Sequence, residues 1–479
     1  MARAPSGRVT AGSRRTELLR RHWPFLAVLA LGFALRVVSQ VAYRPALLYV
    51  DSYSYLGFLH SLDPTTVGQT VGYDFLLLAP VLAVGNLFAV VAVQHLLGLG
   101  IGVAIYVLVN RYGVSRWLAA AATVPILLDA YQIQIEQNIM SETLFEALLA
   151  AGTLVLLWNL RPSRRALVAG ALLLGLAVPV RVVAAPLIVP LVGFALLLGA
   201  GWRDRLRRAA LVGVAFLLPV IGYMTYYFTQ SGQFMLTNAD ASSQYGRAAQ
   251  IADCATLRLP DYERKLCPPQ PLGHRLGVDY YANVYPVTDL VTVPPDMTIK
   301  DVLRDFSRRV FRQQPLDLAR AAVADFFKGF RPTKADAPGD VPVFRWQFQT
   351  VWPVNPTYDP VAATRDWGGG PPTLVRPLAG FLRGYQRSAG YTPGTVLLVA
   401  LVAGGLAACG VGHARRSGLR LACGFVALSC VVVLFSASLY LFSWRYQLPA
   451  LVLAPIAGAL GLTALIRRSG STFPADNAG

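Results

Sequence analysis

With 479 residues, 55% of them hydrophobic and 14% charged, and a mean hydropathy of +0.48, the chain is too apolar for an ordinary soluble domain and implies a lipid-embedded fold. Its 43 Lys and Arg against 25 Asp and Glu give a formal net charge of +18. A basic excess of that size raises nucleic-acid binding, so where the charge sits decides the class.

Apolar runs of about twenty residues, the length that crosses a hydrocarbon core at helical rise, predict spans at 24–43, 88–110, 117–133, 141–159, 165–181, 183–200, 207–229, 394–411, 418–438 and 445–466. The run at 73–84, stopped by Gly85-Asn86, is too short and reads as a partly buried or re-entrant piece. The expected fold is therefore an all-α polytopic membrane protein of about ten transmembrane helices. Its parts are a basic tail (1–23), an N-terminal membrane block (24–230) with a first outer loop at 44–72, a mixed extracytoplasmic segment (231–393), a second membrane block (394–466) and a short tail (467–479). The first apolar stretch runs into Tyr43-Arg44-Pro45 without a small-residue cleavage pattern and reads as a helix, not a secretory signal. Thr298–Phe330 reads as two amphipathic helices separated at Pro315.

The charge lies on one side. With the N-terminus inside, the tails and the loops near 111–116, 161–165, 203–208 and 415–420 hold 20 arginines against Glu17, Asp204 and Asp476, whereas 231–393 carries 19 Lys/Arg against 15 Asp/Glu. This is the positive-inside signature of a multi-pass protein and excludes a nucleic-acid footprint. Both termini are expected in the cytoplasm. Four lysines against 39 arginines, with abundant alanine and valine, suggest a GC-rich bacterial genome, hence a bacterial plasma membrane. Cys409, Cys423 and Cys430 fall in spans, whereas Cys254 and Cys267 lie in the outer segment, where oxidising conditions favour a disulfide. Five scattered histidines and no CxxC or HExxH spacing argue against a dedicated metal site.

Acids collect at the outer ends of the helices: Asp51, Asp63 and Asp74 in or near the first loop, then Asp129, Glu136, Glu142 and Glu146. Glu142 and Glu146, four apart, share a helical face. Asp63, Glu136 and Glu146 are expected to be solvated acids. Asp51 opens an aromatic patch that includes Tyr53, which suits a base in a half-dry site. Arg181 and Arg445 fall at outer helix ends, where the orientation rule discourages cations, and suit a phosphate clamp because guanidinium matches phosphate oxygens in bidentate geometry. Arg36, inside the first span, is open between facing a cavity and snorkelling. A base with two cations on the outer face suits transfer of a sugar to a hydroxyl from a lipid-phosphate donor, since nucleotide sugars are cytoplasmic.

These motifs resemble the GT-C membrane glycosyltransferases, in particular the bacterial branch similar to protein O-mannosyltransferases and the lipid A aminoarabinose transferase. The resemblance rests on Asp51 after the first helix, Gly72-Tyr73-Asp74, Met140-Ser141-Glu142-Thr143-Leu144, Pro179-Val180-Arg181 followed by Pro186, Gln314-Pro315, and Arg445-Tyr446-Gln447-Leu448-Pro449. It implies Asp51, with Glu142, as the catalytic acids, and Arg181, Arg445 and Tyr446 at the donor phosphate. Tyr53, Asp74, Arg247 and Trp346 are the substrate or acceptor candidates. Relatives often carry two adjacent acids in the first loop; here Asp51 precedes Ser52, so a divalent cation, Mg or Mn, has a thin site beside Asp51. The chain ends in a short tail, so 231–393 is expected to supply the acceptor site, with Tyr245-Gly246-Arg247, Trp346 and Trp352 as candidates. Expected partners are a polyprenyl-phosphate sugar, membrane lipids and a cell-envelope glycan, lipid or protein acceptor. The rivals are a transporter or lipid flippase, which would need ionisable residues deep in the spans, and a lipid-linked oligosaccharide ligase.

Overall fold

The computed structural model of the chain describes residues 11–237, 241–287, 291, 293–353 and 359–467. The long α1 (Ala11–Ala42) leads into the two-residue strand β1 (Tyr43–Arg44) and then α2 (Val50–Ser61). A π-helical turn at Asp74–Leu78 continues as α3 (Ala79–Leu82), followed by α4 (Leu87–Arg111), α5 (Arg116–Ala121), α6 (Val124–Leu128), α7 (Ala130–Gln137), α8 (Glu142–Leu156) and α9 (Arg164–Val180). A 3-10 stretch at Val182–Leu187 runs into α10 (Ile188–Leu198), and α11 (Trp202–Ser231) closes the first block. The segment 231–393 holds α12 (Ala241–Ile251), α13 (Asp261–Arg264), α14 (Val278–Asn283), α15 (Ile299–Gln313), α16 (Pro315–Lys328), α17 (Pro360–Trp367), β2 (Thr373–Leu374) and α18 (Arg376–Ser388). The second block is α19 (Gly394–Cys409), α20 (Arg420–Tyr440) and α21 (Leu448–Ile466).

Every predicted span coincides with helix, and the molecule is an all-α polytopic membrane protein. Their lengths are less uniform than hydropathy implied. Among the described residues five helices are long and apolar enough to cross a bilayer: Arg20–Ala42, Leu87–Arg111, Trp202–Ser231, Arg420–Tyr440 and Trp444–Ile466. A sixth candidate, Arg116–Leu128 with Ala130–Gln137, is bent by 44°. The remaining four segments are shorter, as in the 16-residue α19, which rises only about 24 Å. Hydropathy windows run through the caps and breaks that end these helices; α9, for instance, stops after Pro179-Val180, where Arg181 turns to extended backbone (φ −150°, ψ 120°).

The bundle centres on α21, whose apolar window is 78% buried, against 28% for the peripheral Trp202–Ser231 helix. Small residues allow the central contact. A Cβ on Gly461 would lie 2.6 Å from the Ala403 carbonyl, and one on Gly458 2.7 Å from the Ala400 side chain, so α19 and α21 pack backbone to backbone. The same helix also packs on α4, α6 and α8, joining the two membrane blocks.

Within 231–393, α12, α14 and α15 enclose a second core around Tyr245, Tyr281 and Phe306. The Cys254–Cys267 disulfide, with a Cα separation of 6.2 Å, lies beside it. Antiparallel pairing of β1 with β2 fastens the chain before α18 to the end of α1.

Candidate active site

Four charged side chains meet at the end of the bundle where α2, α8 and α21 begin and α9 ends. Asp51 and Glu142 each lie in the first turn of a helix, where the dipole favours a carboxylate, and Arg181 caps the C-terminus of α9, where it favours a cation. Arg445 sits on the 3-10 turn Trp444–Gln447 that leads into α21, the end least suited to a cation, and both carboxylates face it. Arg445 Nη1 lies 2.5 Å from Asp51 Oδ2 and 3.4 Å from Glu142 Oε1, while Arg181 Nη1 lies 2.5 Å from Glu142 Oε1. Glu142 thus bridges the two arginines. The four formal charges cancel. Side-chain exposures of 3% for Glu142, 14% for each arginine and 26% for Asp51 show a half-dry cluster that opens on the Asp51 side.

Aromatic rings wall the cluster. The Arg445 guanidinium lies 5.0 Å from the Trp346 ring and 5.2 Å from the Tyr446 ring, and Arg181 lies 5.4 Å from Tyr446. Tyr49 packs on Trp346 at 4.8 Å between centroids, and its hydroxyl accepts from Arg345 Nη1 at 3.3 Å. Trp346 belongs to the segment between the two membrane blocks, on the 3-10 turn Val343–Trp346, so that segment supplies one wall. Three polar groups here are buried with no hydrogen-bond partner among the described residues: Arg445 Nε, Trp346 Nε1 and Glu142 Oε2.

Of the residues singled out from sequence, Asp51, Glu142, Arg181, Arg445, Tyr446 and Trp346 converge. Others lie elsewhere. Arg247 is buried against Asp325 at 2.5 Å and the Ser438 and Leu439 carbonyls, fastening α12 to α16 and the end of α20. Asp74 is fully buried on the π-helical turn, its carboxyl without a hydrogen-bond partner among the described residues. Tyr53 follows Asp51 by two positions on α2, which sends it to a different face. Trp352 packs near the end of α1 with Phe348 and Leu382.

Tyr55 and Ser141 meet the cluster although neither was assigned a role from sequence. Tyr55, four positions after Asp51 and so on its helical face, donates to Ser141 Oγ at 2.9 Å, and that hydroxyl also meets Arg181 Nη1 at 3.4 Å. The Asp51/Tyr55 spacing was the available signal.

The expectation that Glu136 and Glu146 are solvated is overturned, since both are 0% exposed. Glu136 accepts from Arg36 Nε and Nη2, both at 2.7 Å, and lies 2.9 Å from His95 Nδ1; Gln132 Nε2 donates to Glu146 at 2.7 Å. Arg36 neither faces a cavity nor snorkels. Its remaining donors serve the Gly32, Ile126 and Leu127 carbonyls, the last two being groups that α6 leaves open where the span breaks at Asp129.

Beside Arg445 the segment between the two membrane blocks straps onto the turn. Trp444 Nε1 donates to the Ala335 carbonyl at 3.2 Å, and Gln447 both accepts from Lys334 and donates to the Gly329 carbonyl. Lys334 lies 4.8 Å from the Tyr131 and Trp444 rings, and burial there pushes its ammonium down to about 8. As for a divalent cation beside Asp51, the donor set is two carboxylates that already face guanidiniums, and no three His, Cys, Asp or Glu side chains converge among the described residues.

Fold and site together define a helical membrane protein with a charge-balanced carboxylate and arginine cluster at one end of its bundle. No protein-family model and no curated protein matches the chain. Among solved structures it is similar to the oligosaccharyltransferase AglB from Archaeoglobus fulgidus, in complex with an inhibitory peptide and a dolichol-phosphate, at 12% identity and a TM-score of 0.42 over 93% of this chain. It spans 50% of that chain, or half its length. It is also similar to ArnT from Cupriavidus metallidurans bound to undecaprenyl phosphate (12% identity, TM-score 0.36, 90% of this chain and 77% of that one) and to the same protein in the apo state (13%, 0.35, 92% and 77%).

Proposed function

We propose that this chain is an integral membrane glycosyltransferase that moves a sugar from a polyprenyl-phosphate donor to an acceptor hydroxyl at the extracytoplasmic face of a bacterial plasma membrane. The observation that carries this reading is the meeting of Asp51 and Glu142 with Arg181 and Arg445 in one half-dry cluster. Asp51, the most exposed of the four, takes the proton of the acceptor hydroxyl, whose oxygen attacks the anomeric carbon. The bond from that carbon to the phosphate oxygen breaks, and the phosphate leaves with the electron pair, its charge met by Arg445 and Arg181. Glu142 keeps the two guanidiniums together. The extracytoplasmic side follows from the arginine-rich loops, which lie away from the cluster in the charge pattern. The acceptor belongs to the cell envelope, as a glycan, a lipid or a protein.

The buried Arg36, Glu136 and His95 group is the kind of intramembrane charge that a transporter or flippase would use. Arg36 instead fills the carbonyls of a broken helix, which is a static task. Purified protein incubated with a radiolabelled polyprenyl-phosphate monosaccharide tests the proposal. Transfer or slow hydrolysis is expected, falling about 10²–10⁴-fold in Asp51→Asn, the range for loss of a general base. An inert wild-type protein, or an unimpaired variant, overturns it.

A further inference from the structure

The base and the clamp of the proposed reaction are tied to each other. Asp51 Oδ2 lies 2.5 Å from Arg445 Nη1, the shortest contact of that guanidinium among the described residues. The nitrogens that remain are poorly served: Nη2 lies a long 3.4 Å from the Tyr446 hydroxyl, and Nε is buried without an acceptor among the described residues. The guanidinium also lies against the Trp346 and Tyr446 rings, at 5.0 Å and 5.2 Å from their centroids. Phosphate binds arginine through the same N–H groups that a carboxylate uses, which makes the two anions rivals for one cation.

Charge balance points the same way. The cluster is formally neutral, and a phosphate adds negative charge to a site where water is scarce, which is unfavourable unless a carboxylate gives way. Glu142, at 3% exposure, is the one carboxylate paired with Arg181 among the described residues and cannot leave without stranding that cation, whereas Arg181 loses nothing when Asp51 moves. Asp51, at 26% and on the open side, reaches water by side-chain rotation alone.

We propose that Asp51 is an intramolecular competitor for the donor phosphate: in the free protein its carboxylate occupies Arg445, and the arriving phosphate displaces it and so releases the base. This rests on the glycosyltransferase reading. The exchange makes and breaks ionic contacts only. Its consequence is order, since the acceptor hydroxyl meets a free carboxylate only after the donor is seated, and a donor-less site holds its base in reserve.

The test is the binding of undecaprenyl phosphate, the leaving lipid without its sugar, to the full-length detergent-solubilised protein by isothermal titration. Asp51→Asn and Asp51→Ala, with melting temperatures compared with wild type, should both bind roughly fivefold or more tightly, within the range of a partly exposed ion pair. Unchanged or weaker binding in the folded variants overturns the competition while leaving the donor assignment standing. No binding by the wild-type protein overturns the donor assignment and the competition with it.

Discussion

Each guanidinium of the cluster has a distinct task. Arg181 makes its short contact to Glu142 and a longer one to Ser141, so it is anchored on the protein side. Arg445 keeps a buried Nε without an acceptor among the described residues and lies against two rings, so it has donors left for a ligand. Replacement by lysine keeps the charge and loses the planar fork and the ring stacking. Arg445→Lys should therefore raise KM for the lipid-phosphate donor roughly tenfold or more, with the fold retained, as measured by steady-state transfer kinetics. An unchanged KM would show that the phosphate does not meet Arg445.

At the scale of elements, two close approaches position the cluster. A Cβ on Gly72 would lie 2.5 Å from the Pro179 carbonyl carbon and oxygen and 2.7 Å from the Val180 amide, so glycine alone lets the chain before the π-helical turn touch the backbone that carries Arg181. Gly72→Ala should cost about 1–3 kcal/mol of stability by overpacking. It should also lower turnover through a displaced Arg181, read from thermal unfolding and transfer assays together. The second approach is the strap at Lys334. An ordinary lysine titrates near 10.5 and this one near 8. Between those values the unfolded chain holds a proton that the folded chain lacks, so this group makes stability rise with pH from about 8 to 10.5. The difference in melting temperature between wild type and Lys334→Met, followed by tryptophan fluorescence across that window, should show this slope. A difference that does not vary with pH would remove Lys334 from the account.

For the whole molecule, α21 decides the assembly. It packs on α19 and α20 from its own block and on α4, α6 and α8 from the other, and this brings Arg445 to an acid 394 positions earlier in the chain. The orientation proposed from the arginine distribution has a direct test in intact cells. With Cys409 replaced by serine, Ser388→Cys in the outer segment should react with a membrane-impermeant maleimide. Arg165→Cys should react only after permeabilisation, and the reverse pattern would put the cluster in the cytoplasm.

Hydropathy alone placed helix at each predicted span, because burial in lipid requires a run of apolar residues whatever the neighbours are, but it overstated the crossings: among the described residues five helices, or six with the bent pair, are long and apolar enough. The helix-end positions of Asp51, Glu142, Arg181 and Arg445 were equally local, and so were open to reading from sequence. What lay beyond it were the partners. Arg36 finds Glu136 100 residues away, and both looked like strays until the break after α6 supplied carbonyls to fill. Glu136 and Glu146 passed for solvated acids because polarity says nothing of what another helix places over it. Arg247 and Asp74 looked as functional as Arg445, and packing took them elsewhere. The sequence by itself determined the helices and the ends at which their charges sit, since these depend on neighbours a few residues apart. Only the tertiary structure decided which charges meet, because ion pairs across a bundle depend on helices brought together from distant parts of the chain around α21.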